Sequence, residues 1–180
     1  GKTWSVGAVV GLIAEGQARR SFLAYSERER AVPWRAMPVY ISWYELNIDR
    51  NNDREYTTNM NVDQCTDIVA EWKKQFFDKY KTGVKAFVWD DGWDFYGPWT
   101  FNKNFPNGFS EPDAVARKMG SGIGAWLGPV GGYGRSGDYR RAYWKDRGGM
   151  QLSNPEYYKM FLDACTYIIK NYDFRFFKYD

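Results

Sequence analysis

At 180 residues the chain is long enough for a domain with a real core, and with 44% of its residues hydrophobic it is not a disordered chain. A net charge of +3, with the basic residues scattered, argues against nucleic acid as the main partner. The complete lack of histidine excludes histidine-based triads, imidazole general bases and histidine-ligated metals. Residues 3–14, TWSVGAVVGLIA, read as a strand, the last of a preceding β-domain. Residues 18–35, ARRSFLAYSERERAVPWR, follow as a connector, helical or extended. The opening segment is not a signal peptide, because its apolar part is short and no A-x-A site follows. The domain reading is therefore 1–36 as the end of an N-terminal β-domain and linker, and 37–180 as the main domain.

MPVYISWYEL (37–46) is a strand candidate ending in polar residues. Residues 61–83 form a helix in which Cys65, Ile68, Val69, Trp72, Phe76 and Tyr80 share a buried face and Gly83 supplies the stop. VKAFVWDD (84–91) is the second strand. A short helix over 111–122 begins at Ser110 or Glu111, with Pro112 in its first turn. GIGAWLGPV (122–130) is the third strand. SNPEYYKMFLDACTYIIKNY (153–172) is the strongest helix, capped by Asn154, with Pro155 at its first position. Its expected buried stripe is Tyr158, Phe161, Leu162, Cys165, Ile168, Ile169 and Tyr172. FRFFKYD (174–180) is the fourth strand. Cys65 and Cys165 lie on apolar helix faces and read as buried free thiols. No run is long and apolar enough to span a membrane.

Alternation of strand and helix argues for a parallel sheet, either doubly wound or part of a (β/α)8 barrel. The long polar, aromatic and Gly-rich segments follow the strands, and the returns after the helices are short. That is the arrangement of a barrel enzyme, so the expected fold class is α/β, the first half (strands 1–4) of a (β/α)8 TIM barrel.

Chemistry concentrates at the strand ends. Asp90 and Asp91 stand side by side among Trp89, Trp93 and Trp99, a costly arrangement unless donors or a polar ligand offset it. Large rings beside carboxylates suit a sugar. A turn built on Asp-Asp-Gly is the plainer alternative. In FFKYD, Lys178 and Asp180 share one face of the strand, and Phe177 and Tyr179 share the other. A lysine there favours the ionised form of a neighbouring carboxylate, the form that attacks as a nucleophile; a simple strand-end ion pair would look the same. The glycines of GAWLGPVGGYGRSG carry no nucleotide pattern, and an aromatic, basic stretch, DYRRAYWKDRGG, is expected after them where a phosphate loop would need a helix. DRNNDRE (49–55) has the alternating oxygens of a calcium loop at Asp49, Asn51 and Asp53 but lacks its glycine and terminal glutamate, so a surface loop is expected.

Taken together, FVWDDGW, GIGAWLG and FFKYD, in that order, resemble the retaining α-galactosidases and α-N-acetylgalactosaminidases of glycoside hydrolase families 27 and 36, closest to the family 36 type. Residues 21–48 resemble the junction between that family's β-sandwich and its barrel. The resemblance implies that Asp180 is the catalytic nucleophile and that Lys178 hydrogen-bonds sugar hydroxyls. It implies that Asp90 and Asp91 bind the galactose 4- and 6-hydroxyls, and that Trp43 and Trp126 pack on the sugar. Trp93 is expected to complete the wall. The implied substrate is an oligosaccharide or glycoconjugate with terminal α-linked galactose or N-acetylgalactosamine. No metal or organic cofactor is implied. The implied general acid/base is an aspartate after a sixth strand, so the remainder of the barrel is expected to complete the site and residues 1–180 alone are expected to be inactive. A secreted or periplasmic enzyme is the matching expectation. One departure stands out: the family's W-F-E-P pattern appears here as WLGP, with Gly128 in the acidic position. A non-catalytic carbohydrate-binding barrel and a transglycosylase of the raffinose-synthase kind share the remaining motifs, and a doubly wound α/β domain without sugar chemistry is the plainest alternative.

Overall fold

The computed structural model describes residues 7–47 and 60–180, and the chain divides into two compact units, Gly1–Ala36 and Met37–Asp180. DRNNDRE (49–55) lies outside the described residues.

Among its described residues the first unit holds one helix, α1 (Ala18–Glu29), so the connector is helical. It buries no side chain, and Phe22 and Leu23 are exposed. The strand expected over 3–14 is not formed in its described part, residues 7–14. An apolar β-prone run becomes a strand only when a neighbour takes up its backbone groups. The described strands pair with one another, and Val9, Val10 and Leu12 stand in solvent.

The second unit is an α/β structure on a four-stranded parallel sheet in the order β1-β2-β3-β4. The strands are β1 (Val39–Ile41), β2 (Ala86–Trp89), β3 (Gly122–Leu127) and β4 (Phe174–Tyr179). Every residue of β2 and β3 is buried, as their unbroken apolar runs require of central parallel strands. The outer strands β1 and β4 are only partly buried. β1 is shorter than expected: the backbone leaves the sheet at Ser42 and coils into a single π-helical turn, Trp43–Asn47.

Asn61 caps α2 (Val62–Trp72) through a capping box, accepting from the Gln64 amide while the Gln64 side chain accepts from the amide of Asn61. The helix runs on through a π turn (Lys73–Phe77) into α3 (Asp78–Tyr80). That turn breaks the expected stripe. Cys65 and Val69 are buried, but the wider turn rotates the later positions outward, leaving Phe76 42% and Tyr80 70% exposed. The stop is Lys81 in the left-handed region (φ 53), two residues before Gly83. α4 (Ser110–Arg117) begins at the expected serine.

α5 (Gly134–Trp144) was not expected from the sequence. Its buried residues are Ser136, Gly137, Arg140 and Trp144, so the face it turns inward is largely polar and leaves no apolar period to read. α6 (Pro155–Asn171) has the expected cap, with Asn154 accepting from the Glu156 amide. Of its expected stripe, Phe161, Cys165, Ile168 and Tyr172 are buried. Tyr157, Phe161, Cys165 and Ile168 face inward, while Tyr158, Leu162 and Ile169 are about half exposed. The anchor is Tyr157, whose hydroxyl donates to the Pro129 carbonyl at 2.7 Å and whose ring meets Trp144 edge-on. Both cysteines are free and buried. Among the described residues no helix is long and apolar enough to cross a membrane.

The hydroxyls of Tyr40, Tyr157, Tyr172 and Tyr179 are all held above the ordinary phenol range, chiefly by burial, Tyr157 at about 12. Unfolded tyrosines lose their protons near pH 10 while these keep theirs. Their contribution to stability is therefore complete below about pH 10 and is lost progressively as the pH rises above it, the part from Tyr157 being gone once the pH has passed about 12. Alkaline titration is expected to show tyrosinate absorbance from these rings rising together with loss of the far-UV signal. Independent ionisation near pH 10 with the fold intact would contradict this packing.

Candidate functional site

The carboxyl ends of all four strands open on one cavity of about 420 Å³, lined by Ile41, Trp43, Tyr44, Asp90, Asp91, Trp126, Tyr133, Lys178 and Asp180. Trp43 and Tyr44 come from the π turn after β1, and Asp90 and Asp91 from the two positions after β2. Trp126 is near the end of β3. Lys178 lies in β4, and Asp180 directly follows it. Six of the seven residues singled out from the sequence thus share one cavity, whose size suits a single small ligand.

The two adjacent aspartates are held apart in their bonding. Asp90 is buried; its Oδ1 accepts from the Asp91 amide at 2.8 Å and its Oδ2 accepts from Lys178 Nζ at 2.8 Å. Its own amide donates to the Ser42 hydroxyl at 2.9 Å. Asp91 turns the other way, its Oδ2 accepting from the Ser136 hydroxyl at 3.0 Å and its Oδ1 from Arg140 Nη2. Each carboxylate therefore has its own cation, which is what offsets the repulsion between them.

This corrects the part expected of Lys178. Its ammonium pairs with Asp90 on the neighbouring strand rather than with Asp180 two residues on. Asp180 instead accepts from Trp126 Nε1 and from the Tyr133 hydroxyl, each at 3.3 Å. Both donors are neutral, and both oxygens of Asp180 border the cavity residues.

Trp93 is the second correction. It is 0% exposed and does not line this cavity. After Gly92 (φ 134) the chain turns the indole down into the core, where it packs against Phe101 and Phe109. From below, its Nε1 donates to the Trp126 carbonyl at 3.0 Å, so it supports a wall residue without being one.

The sequence reading did not find the residues behind the cavity. Arg140 is 0% exposed. Its guanidinium binds both oxygens of Asp94, donates to Asp91, and donates from Nη1 to the Gly131 carbonyl at 2.9 Å. The rings of Trp99, Trp126 and Tyr96 lie 4.7, 5.0 and 5.3 Å from it. Burial works against its charge, but the pull of Asp94 and Asp91 outweighs that and holds it protonated above the ordinary guanidinium range. Burial pushes the Asp94 carboxyl up, and Arg140 opposes the shift. One signal was available: Asp90, Asp91 and Asp94 fall within five residues of an apolar stretch, and buried acids require a buried cation.

The Gly-rich loop also differs from expectation, because a helix does start directly after it, at Gly134. The first turn of α5 is engaged with the chain's own carboxylate through Ser136 and Asp91. The loop packs on Trp126. A Cβ on Gly132 (φ +75) would lie 2.4 Å from the indole edge, and one on Gly128 would lie 2.8 Å from the Gly132 nitrogen and 2.9 Å from the same edge. An acidic side chain at position 128 therefore has no room, which accounts physically for WLGP.

Three carboxylates, one ammonium, two indoles and two phenols facing one small space can accept from and donate to hydroxyls and cover an apolar face. Among the described residues no group of three histidine, cysteine or acidic side chains is placed to hold a metal ion. In comparisons with known proteins, the chain matches no protein-family model and no curated protein.

Proposed function

We propose that Met37–Asp180 is the first half of a (β/α)8 barrel and carries the sugar-binding and nucleophile side of a retaining α-galactosidase-like site. The substrate is a terminal α-linked galactose or N-acetylgalactosamine. The observation that carries this reading is the convergence of Trp43, Asp90, Asp91, Trp126, Lys178 and Asp180, from four successive strand ends, on one cavity. The sheet supports it too. Its order runs 1-2-3-4 without the reversal of a doubly wound sheet. The partly open outer strands fit continuation of the sheet on both sides.

In this reading the Asp180 carboxylate attacks the anomeric carbon and the bond to the aglycone oxygen breaks. That oxygen takes a proton from a second carboxyl group about 5–5.5 Å away. The same group then deprotonates the water that hydrolyses the glycosyl-enzyme. In this reading the acid/base follows a sixth strand of the barrel. Trp126 and Tyr133 hold Asp180 in place by neutral donors. Lys178 fixes Asp90 and presents its remaining hydrogens to sugar hydroxyls. Asp90 and Asp91 accept from hydroxyls, and Trp43 and Trp126 cover the ring.

The test is the stereochemistry of hydrolysis of an aryl α-galactoside by the intact protein, followed by NMR. The α-anomer of galactose is expected as the first product. The β-anomer first, or no hydrolysis, would contradict the reading.

A further inference from the structure

We propose that Ser136 and Arg140 of α5 are positioning residues for Asp91 and set ligand affinity through it. This rests on the function proposed above. Neither residue lines the cavity, yet both end on the carboxylate that does. They are four apart, so they rise one above the other on one helix face, and each takes a different oxygen of Asp91. Arg140 is itself locked by Asp94, the Gly131 carbonyl and three aromatic faces. It cannot swing, and so Asp91 cannot either.

The consequence is directional. A carboxylate held by a donor on each oxygen keeps one orientation toward the cavity it lines. A sugar hydroxyl meets an acceptor whose orientation is already fixed, and little side-chain freedom is lost on binding. Trp126 is tied to the same device, because the guanidinium lies 5.0 Å from its ring and Gly128 and Gly132 lie against the edge of its indole. One helix, without contacting the ligand, thus fixes both an acceptor and an aromatic wall.

Ser136 is the residue to change, because it bears one hydroxyl and no charge, whereas loss of Arg140 threatens the fold. The intact wild-type protein and Ser136→Ala are titrated by calorimetry with D-galactose, 4-deoxy-D-galactose and 6-deoxy-D-galactose. Ser136→Ala is expected to weaken D-galactose about 10-fold, the worth of a hydrogen bond to a charged group. The loss is expected to vanish for the one deoxy sugar that lacks the hydroxyl Asp91 receives, and Ser136→Thr is expected to restore affinity. An equal loss for all three sugars, or no loss for any, overturns the inference while leaving the proposed function standing. Wild type that binds none of the three overturns the proposed function itself, and this inference with it.

Discussion

Replacing Asp180 by asparagine in the intact protein is expected to lower turnover of an aryl α-galactoside by roughly four orders of magnitude, because an amide oxygen does not form the glycosyl-enzyme. The substitution keeps the shape of the side chain, and the hydrogen bonds it disturbs are the two 3.3 Å contacts from Trp126 and Tyr133. Stability is therefore expected to change by about 1 kcal/mol or less. Loss of activity with an unchanged melting temperature is the signature of a chemical role. Asp180→Gly adds a second readout. Azide entering the vacated space attacks from the face the carboxylate held, so β-galactosyl azide is the expected product. Asp180→Asn with more than a tenth of wild-type kcat would remove Asp180 from the chemistry.

The second large effect is on folding. Arg140→Leu leaves Asp91 and Asp94 buried without their shared cation, and breaking a buried pair from one side costs about 3–5 kcal/mol. For a chain of this size that corresponds to a fall in melting temperature of roughly 10 °C. The three aromatic faces around the guanidinium lose their cation as well, which adds to the loss. Adding Asp94→Asn to Arg140→Leu is expected to recover part of the stability, since it removes one of the two stranded charges and the residues are directly coupled. Denaturant unfolding of the two single variants and the double variant measures this. A cost below about 1 kcal/mol for Arg140→Leu, or strict additivity in the double variant, would mean the network is not held together by its charge balance.

The parts of this arrangement visible in the sequence were those that follow a period or a strand end. β2 and β3 announced themselves as unbroken apolar runs, and the acids following β2 and β4 marked the mouth they open on. Lys178 was assigned the wrong partner because spacing along a strand reveals only same-strand neighbours. Asp90, 88 positions away, is brought to it by the sheet. Trp93 was misplaced because the turn at Gly92 decides which way the next indole points, and a turn of that kind has no period. α5 escaped notice because it buries Ser136 and Arg140 instead of an apolar stripe. Its polar face and the acids it serves are complementary only in three dimensions. The stripe of α6 keeps Phe161, Cys165, Ile168 and Tyr172 as expected but takes Tyr157 in place of Tyr158, because the two tyrosines are indistinguishable by hydropathy and it is the carbonyl of Pro129 that selects Tyr157.

What all of this stands on is Asp180 as the residue that bonds to sugar. Trapping the intact protein with a 2-fluoro-galactosyl fluoride, followed by peptide mapping, asks that directly. The account predicts a single fluorogalactosyl adduct on Asp180, at the end of FFKYD. An adduct on Asp90, Asp91 or any other residue would contradict it.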